Sequence, residues 1–97
     1  MENFIWVQEN YGTMRVLVFD RWSDGLVEAW IVPLVDEDIE YILDELREGK
    51  RKHISDDLLA DYNSDHYDYG TVEYDDLWAE TQEGLWIPED EWLENNL

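Results

Sequence analysis

The side chains able to do chemistry here are mostly carboxylates: 26 Asp and Glu against 6 Lys and Arg, with 2 His and no Cys. In one place their spacing is regular. Glu40, Asp44 and Glu48 stand at i, i+4 and i+8, with Glu37 and Asp38 just before them. On a helix each four-residue step advances about 6 Å, close to the ~6.8 Å of two phosphate steps along one DNA strand. Like charges at i, i+4 cost roughly 0.2–0.5 kcal/mol per pair in an isolated helix, and few bases are present to relieve them. Such a row offers what a phosphate backbone offers, evenly placed acceptors for a partner's Lys and Arg.

Other chemistries fare worse. Asp61, Asn63 and Asp65 match the opening of a calcium-binding EF-hand loop. The sixth position is His66 where the turn needs Gly, and the twelfth is Val72 where a bidentate Glu is needed, with Glu73 one residue late. The expectation is therefore weak, adventitious cation binding and no dedicated metal site. His53 and His66 have no zinc spacing, and Ser23, Ser55 and Ser64 lack a nucleophile-elbow context. A glycosidase needs two carboxylates a few ångströms apart, but among 26 acids some pair always meets that condition. No Gly-rich phosphate loop is present. The sequence predicts no catalytic residue, no cofactor and no enzyme activity.

A formal net charge of −20 narrows the partners. It repels phosphate backbones and anionic membrane surfaces and favours a basic surface that normally holds a polyanion. Residues 1–35 hold five acids and two bases, residues 36–52 seven acids and four bases, and residues 53–97 fourteen acids with no Lys or Arg. With 97 residues, compact-domain scaling gives a diameter of roughly 30 Å. Twenty duplex charges occupy roughly 34 Å, so the expected charge per unit length approaches that of DNA itself. No apolar run is long enough to span a bilayer, and Met1 is followed by Glu2-Asn3 and not by a basic, then apolar, leader. A cytoplasmic protein is expected.

The elements that must position these acids begin with a scaffold. Phe4–Val7, Met14–Phe19 and Leu26–Val32 read as strands, separated by turn chemistry at Glu9–Gly12 and Ser23-Asp24-Gly25. Short connections favour an antiparallel meander, and the imperfect alternation of the second run suits a strand covered on both faces. A helix is expected from Asp36 as N-cap, with Ile39, Ile42, Leu43 and Leu46 as its apolar stripe and Gly49 just past its end. Lys50-Arg51-Lys52 then complement the negative helix terminus. A second short helix is expected behind a Ser55 cap. Residues 63–71 read as turn-rich, Thr71–Tyr74 as a strand, Asp75 as the cap of a turn containing Leu77 and Trp78, and Pro88 as N1 of a last helix. The expected fold is α+β in a single domain, 1–97. Residues 1–35 form the sheet scaffold, and 36–97 form an acidic part with one amphipathic helix and short C-terminal helices.

Phe4, Trp6, Phe19 and Trp30 are expected in the core of the sheet. Tyr62, Tyr67, Tyr69, Tyr74 and Trp78 lie among acids, where exposed rings anchor Arg-rich surfaces through cation–π contact. The predicted partner-binding acids are Glu37, Glu40, Asp44, Glu48, Asp56, Asp57, Asp61, Asp65, Asp68, Glu73, Asp75, Asp76 and Glu80. The predicted aromatic anchors are Tyr62, Tyr67 and Tyr69.

A small, cysteine-free, acidic domain of this kind resembles the DNA-mimic inhibitors of phages and mobile elements, the anti-CRISPR and antirestriction proteins. Residues 14–46 resemble the opening of the ArdA-type antirestriction proteins: a strand Met14–Val18, a turn closing with Gly25, a strand with Trp30-Ile31, and an acidic helix from Asp36, with Asp61-Tyr62 beyond. The turn Arg21–Gly25 departs from that family's Tyr-Asn pattern, and the chain is shorter. The resemblance implies a class and a mechanism, with no residue roles carried over. It implies a protein that fills the positively charged DNA site of a bacterial CRISPR effector or restriction–modification enzyme. An immunity protein neutralising a basic nuclease toxin is the alternative, and a small calcium-dependent or carbohydrate-active module is a third.

Overall fold

β-Branched and aromatic residues dominate three N-terminal runs, which form β1 (Glu2–Asn10), β2 (Thr13–Arg21) and β3 (Val27–Val35) in a computed structural model of the chain. Residues 2–21 and 27–97 are described, with the backbone alone for 2, 3, 60 and 61, so the turn expected at Ser23-Asp24-Gly25 lies outside the described residues. β1 and β2 pair from Glu2↔Arg21 to Asn10↔Thr13, closing on Tyr11 and on Gly12 at φ +71°. β2 and β3 pair from Thr13↔Val35 to Arg21↔Val27, which completes the expected meander.

Alternation along β2 sends Met14, Val16 and Val18 to one face and Leu17 and Phe19 to the other, all at most 1% exposed. The strand is covered on both sides, as its sequence predicts. On the first face, Val7, Met14, Val16, Val18, Val32 and Leu34 pack with Ile42, Leu43, Ile54, Leu58 and Trp92. These five come from α1 (Asp36–Arg47), the segment that follows it, α2 (Leu58–Asp61) and α4 (Glu89–Asn96). On the second face, Leu17, Phe19, Ala29 and Ile31 pack with Tyr74, Leu77 and Trp86, from α3 (Val72–Gln82) and the segment after it. Two short strands, β4 (Asp65–Asp68) and β5 (Ile87–Pro88), extend the sheet to the order β4-β3-β2-β1-β5, with every pair antiparallel.

Several boundaries differ from the sequence reading, each for a local reason. Val35, not Asp36, is the N-cap of α1, because the Asp38 carboxylate accepts the Val35 N–H at 3.1 Å. Gly49 sits just past the helix at φ +76°, as expected. Ser55 caps no helix. The Asp56 carboxylate instead accepts the N–H groups of Lys52 and His53 at 2.9 and 3.0 Å, which winds residues 52–57 into turns and delays α2 to Leu58. Residues 65–68 form β4 where only turns were expected. Thr71–Tyr74 is the start of α3 and not a strand: Thr71 Oγ1 accepts the Tyr74 N–H at 3.2 Å, a cap worth about 1 kcal/mol. Asp75 therefore lies inside α3, and Pro88 precedes α4 as its N-cap. Among the described residues no helix is long and apolar enough to cross a membrane.

Candidate functional site

The acidic row predicted on the first helix forms as a row. Glu37, Glu40, Asp44 and Glu48 all stand exposed, because Ile39, Ile42, Leu43 and Leu46 turn the opposite side of α1 inward. Tyr41, 58% exposed, lies in their midst and was not among the predicted anchors. Its signal was its spacing: it follows Glu37 by four residues and precedes Asp44 by three, so it shares their face.

The remaining acids divide between opposite sides of the molecule. Glu73, Asp75 and Asp76 of α3 are exposed on the layer that covers Leu17 and Phe19, across the sheet from α1. Asp65 and Asp68 are exposed on β4, the edge strand between the two layers. The predicted set is therefore one band passing around the β4 edge and not a single flat patch. Exposed acids that the prediction omitted, Glu83 at the end of α3 and Asp90, Glu91 and Glu94 on α4, extend both ends of that band. Residues 72–97 carry nine acids and no Lys or Arg.

Some predicted acids do structural work. Asp56 is half-buried in the turn it holds together; burial pushes its carboxyl up, but the His53 and Lys52 N–H groups prevail and leave it below the ordinary range. Glu80 is half-buried and accepts the Trp86 indole N–H at 3.2 Å. Asp57 is exposed at φ +63°, a left-handed conformation that Asp tolerates better than most residues. The Asp61 side chain lies outside the described residues.

The aromatics sort differently from the prediction. Of the expected core rings, Phe19 is buried, Trp6 and Trp30 are half-buried, and Phe4 is 51% exposed because it lies at the β1 end beyond β5. Of the expected anchors, Tyr69 is 70% exposed, while Tyr62 and Tyr67 are half-buried against the two cores. Tyr74 is buried, meeting Phe19 edge-on at 5.5 Å and Tyr69 at 5.4 Å. Trp78, 46% exposed, also meets Phe19 at 5.5 Å with the rings nearly perpendicular.

Most of the few cations are committed inside the chain. Arg51 is buried: it pairs with Glu45 at 3.0 Å and donates to the carbonyls of Ile54, at 3.0 Å, and Asp56. It was expected merely to finish α1, and it instead clamps the segment that follows. Arg15 donates to Gln8 and lies 4.8 Å over the Trp86 ring. Lys50 pairs with Glu48 at 2.8 Å and Arg47 with Asp44 at 3.4 Å, both on the surface.

Two histidine clusters complete the titratable geometry. The register Asp20↔Glu28↔Asp68 sets three carboxylates on one face of neighbouring strands, and His66 Nε2 lies 3.3 Å from Glu28 and 3.6 Å from Asp68. Asp20 is 4% exposed, and burial first and Glu28 second push its carboxyl up. Glu28, His66 and Asp68 are the described residues whose ligand atoms come within 4.8 Å of one another, near enough to share a cation. Elsewhere His53 Nδ1 lies 2.8 Å from Glu89, a carboxylate 5% exposed that also accepts the Ile54 N–H. The Glu89 bond raises the His53 imidazole above its ordinary value against the opposing effect of burial. Comparison of the chain with protein-family models, curated proteins and solved structures found no match.

Proposed function

We propose that this protein is a DNA mimic that occupies the positively charged DNA site of a bacterial defence complex, either a CRISPR effector or a restriction–modification enzyme. The observation that carries the reading is the exposed carboxylates of α4 and α1, of the β4 edge and of α3, beside few cations, of which Arg51 is buried on Glu45 and Arg47 and Lys50 are paired with acids. Dimensions agree with it. The molecule extends 37 Å along its longest axis and carries a net charge of −20, whereas the same length of duplex carries about 22 charges. Lys and Arg that grip phosphates would meet carboxylates at similar density, with Tyr41 and Tyr69 as exposed rings among them. Spread over many contacts, the interaction is steered from a distance and weakened by salt.

A cleavage assay tests this. A purified restriction enzyme or RNA-loaded CRISPR effector is given its duplex substrate with and without the protein. Inhibition that excess non-substrate duplex relieves is expected, since both compete for one basic site. Inhibition that persists in excess duplex would overturn the reading.

A further inference from the structure

The two edges of the sheet are defended unequally. β4 is four residues long and begins and ends on Asp65 and Asp68, a short, charged edge of the kind that resists pairing with another chain. At the other edge, β5 pairs with β1 only at Trp6↔Pro88 and Val7↔Ile87. It stops there because α4 begins at Glu89. From Glu2 to Ile5, β1 pairs with β2 on its inner side, and no described strand runs along its outer side. Alternate residues of an antiparallel strand aim their N–H and C=O groups away from the paired neighbour, so this stretch presents an open ladder.

This edge carries Phe4 and Ile5, and Phe4 is 51% exposed. A cavity of about 300 Å³ opens beside it, with Phe4, Ile5, Trp6 and Pro88 as its apolar wall and Asp90 and the His53–Glu89 pair as its polar wall. We propose that β1 from Glu2 to Ile5 is a docking edge for an extended basic segment of a partner protein. That segment adds as a strand beside β1 and sets one arginine or lysine into the cavity.

Charge complementarity selects the occupant. A second copy of this chain would bring another −20 to the same edge. A basic segment is drawn in by the same field, and alternate side chains of an added strand point to one face, where the cavity lies. Glu89 is already matched by His53, which leaves the exposed Asp90 carboxylate and the Phe4 and Trp6 rings to receive the cation. The inference requires a basic partner but not a DNA-binding one, so it stands or falls separately from the mimicry reading.

The test uses the full chain, isotope-labelled for NMR, and a short synthetic peptide alternating arginine and valine. The peptide should shift the Phe4 and Ile5 amides and slow the hydrogen exchange of Ile5, whose N–H faces away from β2. The same peptide N-methylated at alternate residues keeps its charge but loses main-chain donors, and should bind about tenfold more weakly. Phe4→Lys, a change at an exposed edge position, should weaken binding similarly at an unchanged thermal midpoint, and Asp90→Asn serves if that variant misfolds. Equal affinity for the N-methylated peptide would overturn the proposal by showing bulk attraction alone. Shifts confined to α1 and α3, or self-association through the Phe4 and Ile5 amides, would overturn it too.

Discussion

The layer of α1, α2 and α4 and the layer of α3 flank the same sheet but hold their segments by different means. The first is tied by carboxylates: Glu45 to Arg51, Glu89 to His53 and the Ile54 N–H, and Glu9 to the Trp92 indole. The second is held mainly by rings, with Phe19 against both Tyr74 and Trp78 and Arg15 over Trp86, and its polar ties run from Trp86 to Glu80 and from Gln8 to the Leu85 carbonyl. All four bases of residues 36–52 follow or end α1, whereas residues 53–97 have none. An acid in the first layer therefore often has an internal cation or donor to serve, while an acid on α3 faces outward with none nearby in sequence. The difference teaches that a charge of −20 is two populations, carboxylates that hold the fold together and carboxylates that are presented.

The largest effect should come from breaking a tie. Arg51→Met strands the Glu45 carboxylate and two carbonyls, and should cost about 4 kcal/mol of unfolding free energy, read from denaturant titration. Adding Glu45→Leu should restore much of that loss, because the orphaned charge leaves with its partner. If Arg51→Met proves silent, the first layer is not held as described.

Next in size is the division of presented acids. Reversal of Glu73, Asp75, Asp76 and Glu83 to Lys should weaken target binding about a hundredfold at low salt and leave thermal stability unchanged. Reversal of Glu37, Glu40, Asp44 and Glu48 should cost less, since Asp44 and Glu48 already face Arg47 and Lys50. Affinities measured side by side in one buffer decide this, and equal losses would erase the distinction between the layers.

A smaller effect concerns pH. The Glu89 bond raises His53 in the folded state, so its stabilisation is complete below the unfolded value of about 6.5 and is lost as pH rises through the folded value. Thermal midpoints should therefore decline as pH rises past neutrality, and His53→Gln should flatten that slope. The smallest effect is at the surface pair: Lys50→Ala should leave the thermal midpoint unchanged, because both partners are well exposed.

Much of the first layer was legible in the sequence. The stripe Ile39, Ile42, Leu43 and Leu46 fixes which side of α1 is inside and hence that Glu37, Glu40, Asp44 and Glu48 are outside. The imperfect alternation of β2, with Val16–Phe19 all apolar, likewise foretells cover on both faces. What stayed hidden depends on partners remote in sequence. β4 is a strand because Ala29 and Trp30 lie opposite Tyr67 and His66, which local turn residues do not reveal. Thr71 is a helix cap, but the β-forming Val72 and Tyr74 after it read equally well as strand. Arg51 and Glu89 are buried because each finds a counter-charge, 6 and 36 residues away. The split of the acids onto opposite layers could not be seen before the sheet order was known.

The central claim is that the presented carboxylates stand in for a duplex. Its most direct test is competition between this protein and a labelled duplex for one DNA-binding defence enzyme, followed by fluorescence polarisation across a salt series. Mimicry predicts full, saturable displacement of the duplex, with the protein's own affinity for the enzyme falling, as the duplex's does, when salt rises from about 50 to 200 mM. Duplex that stays bound at saturating protein, or a protein affinity indifferent to salt, would contradict it.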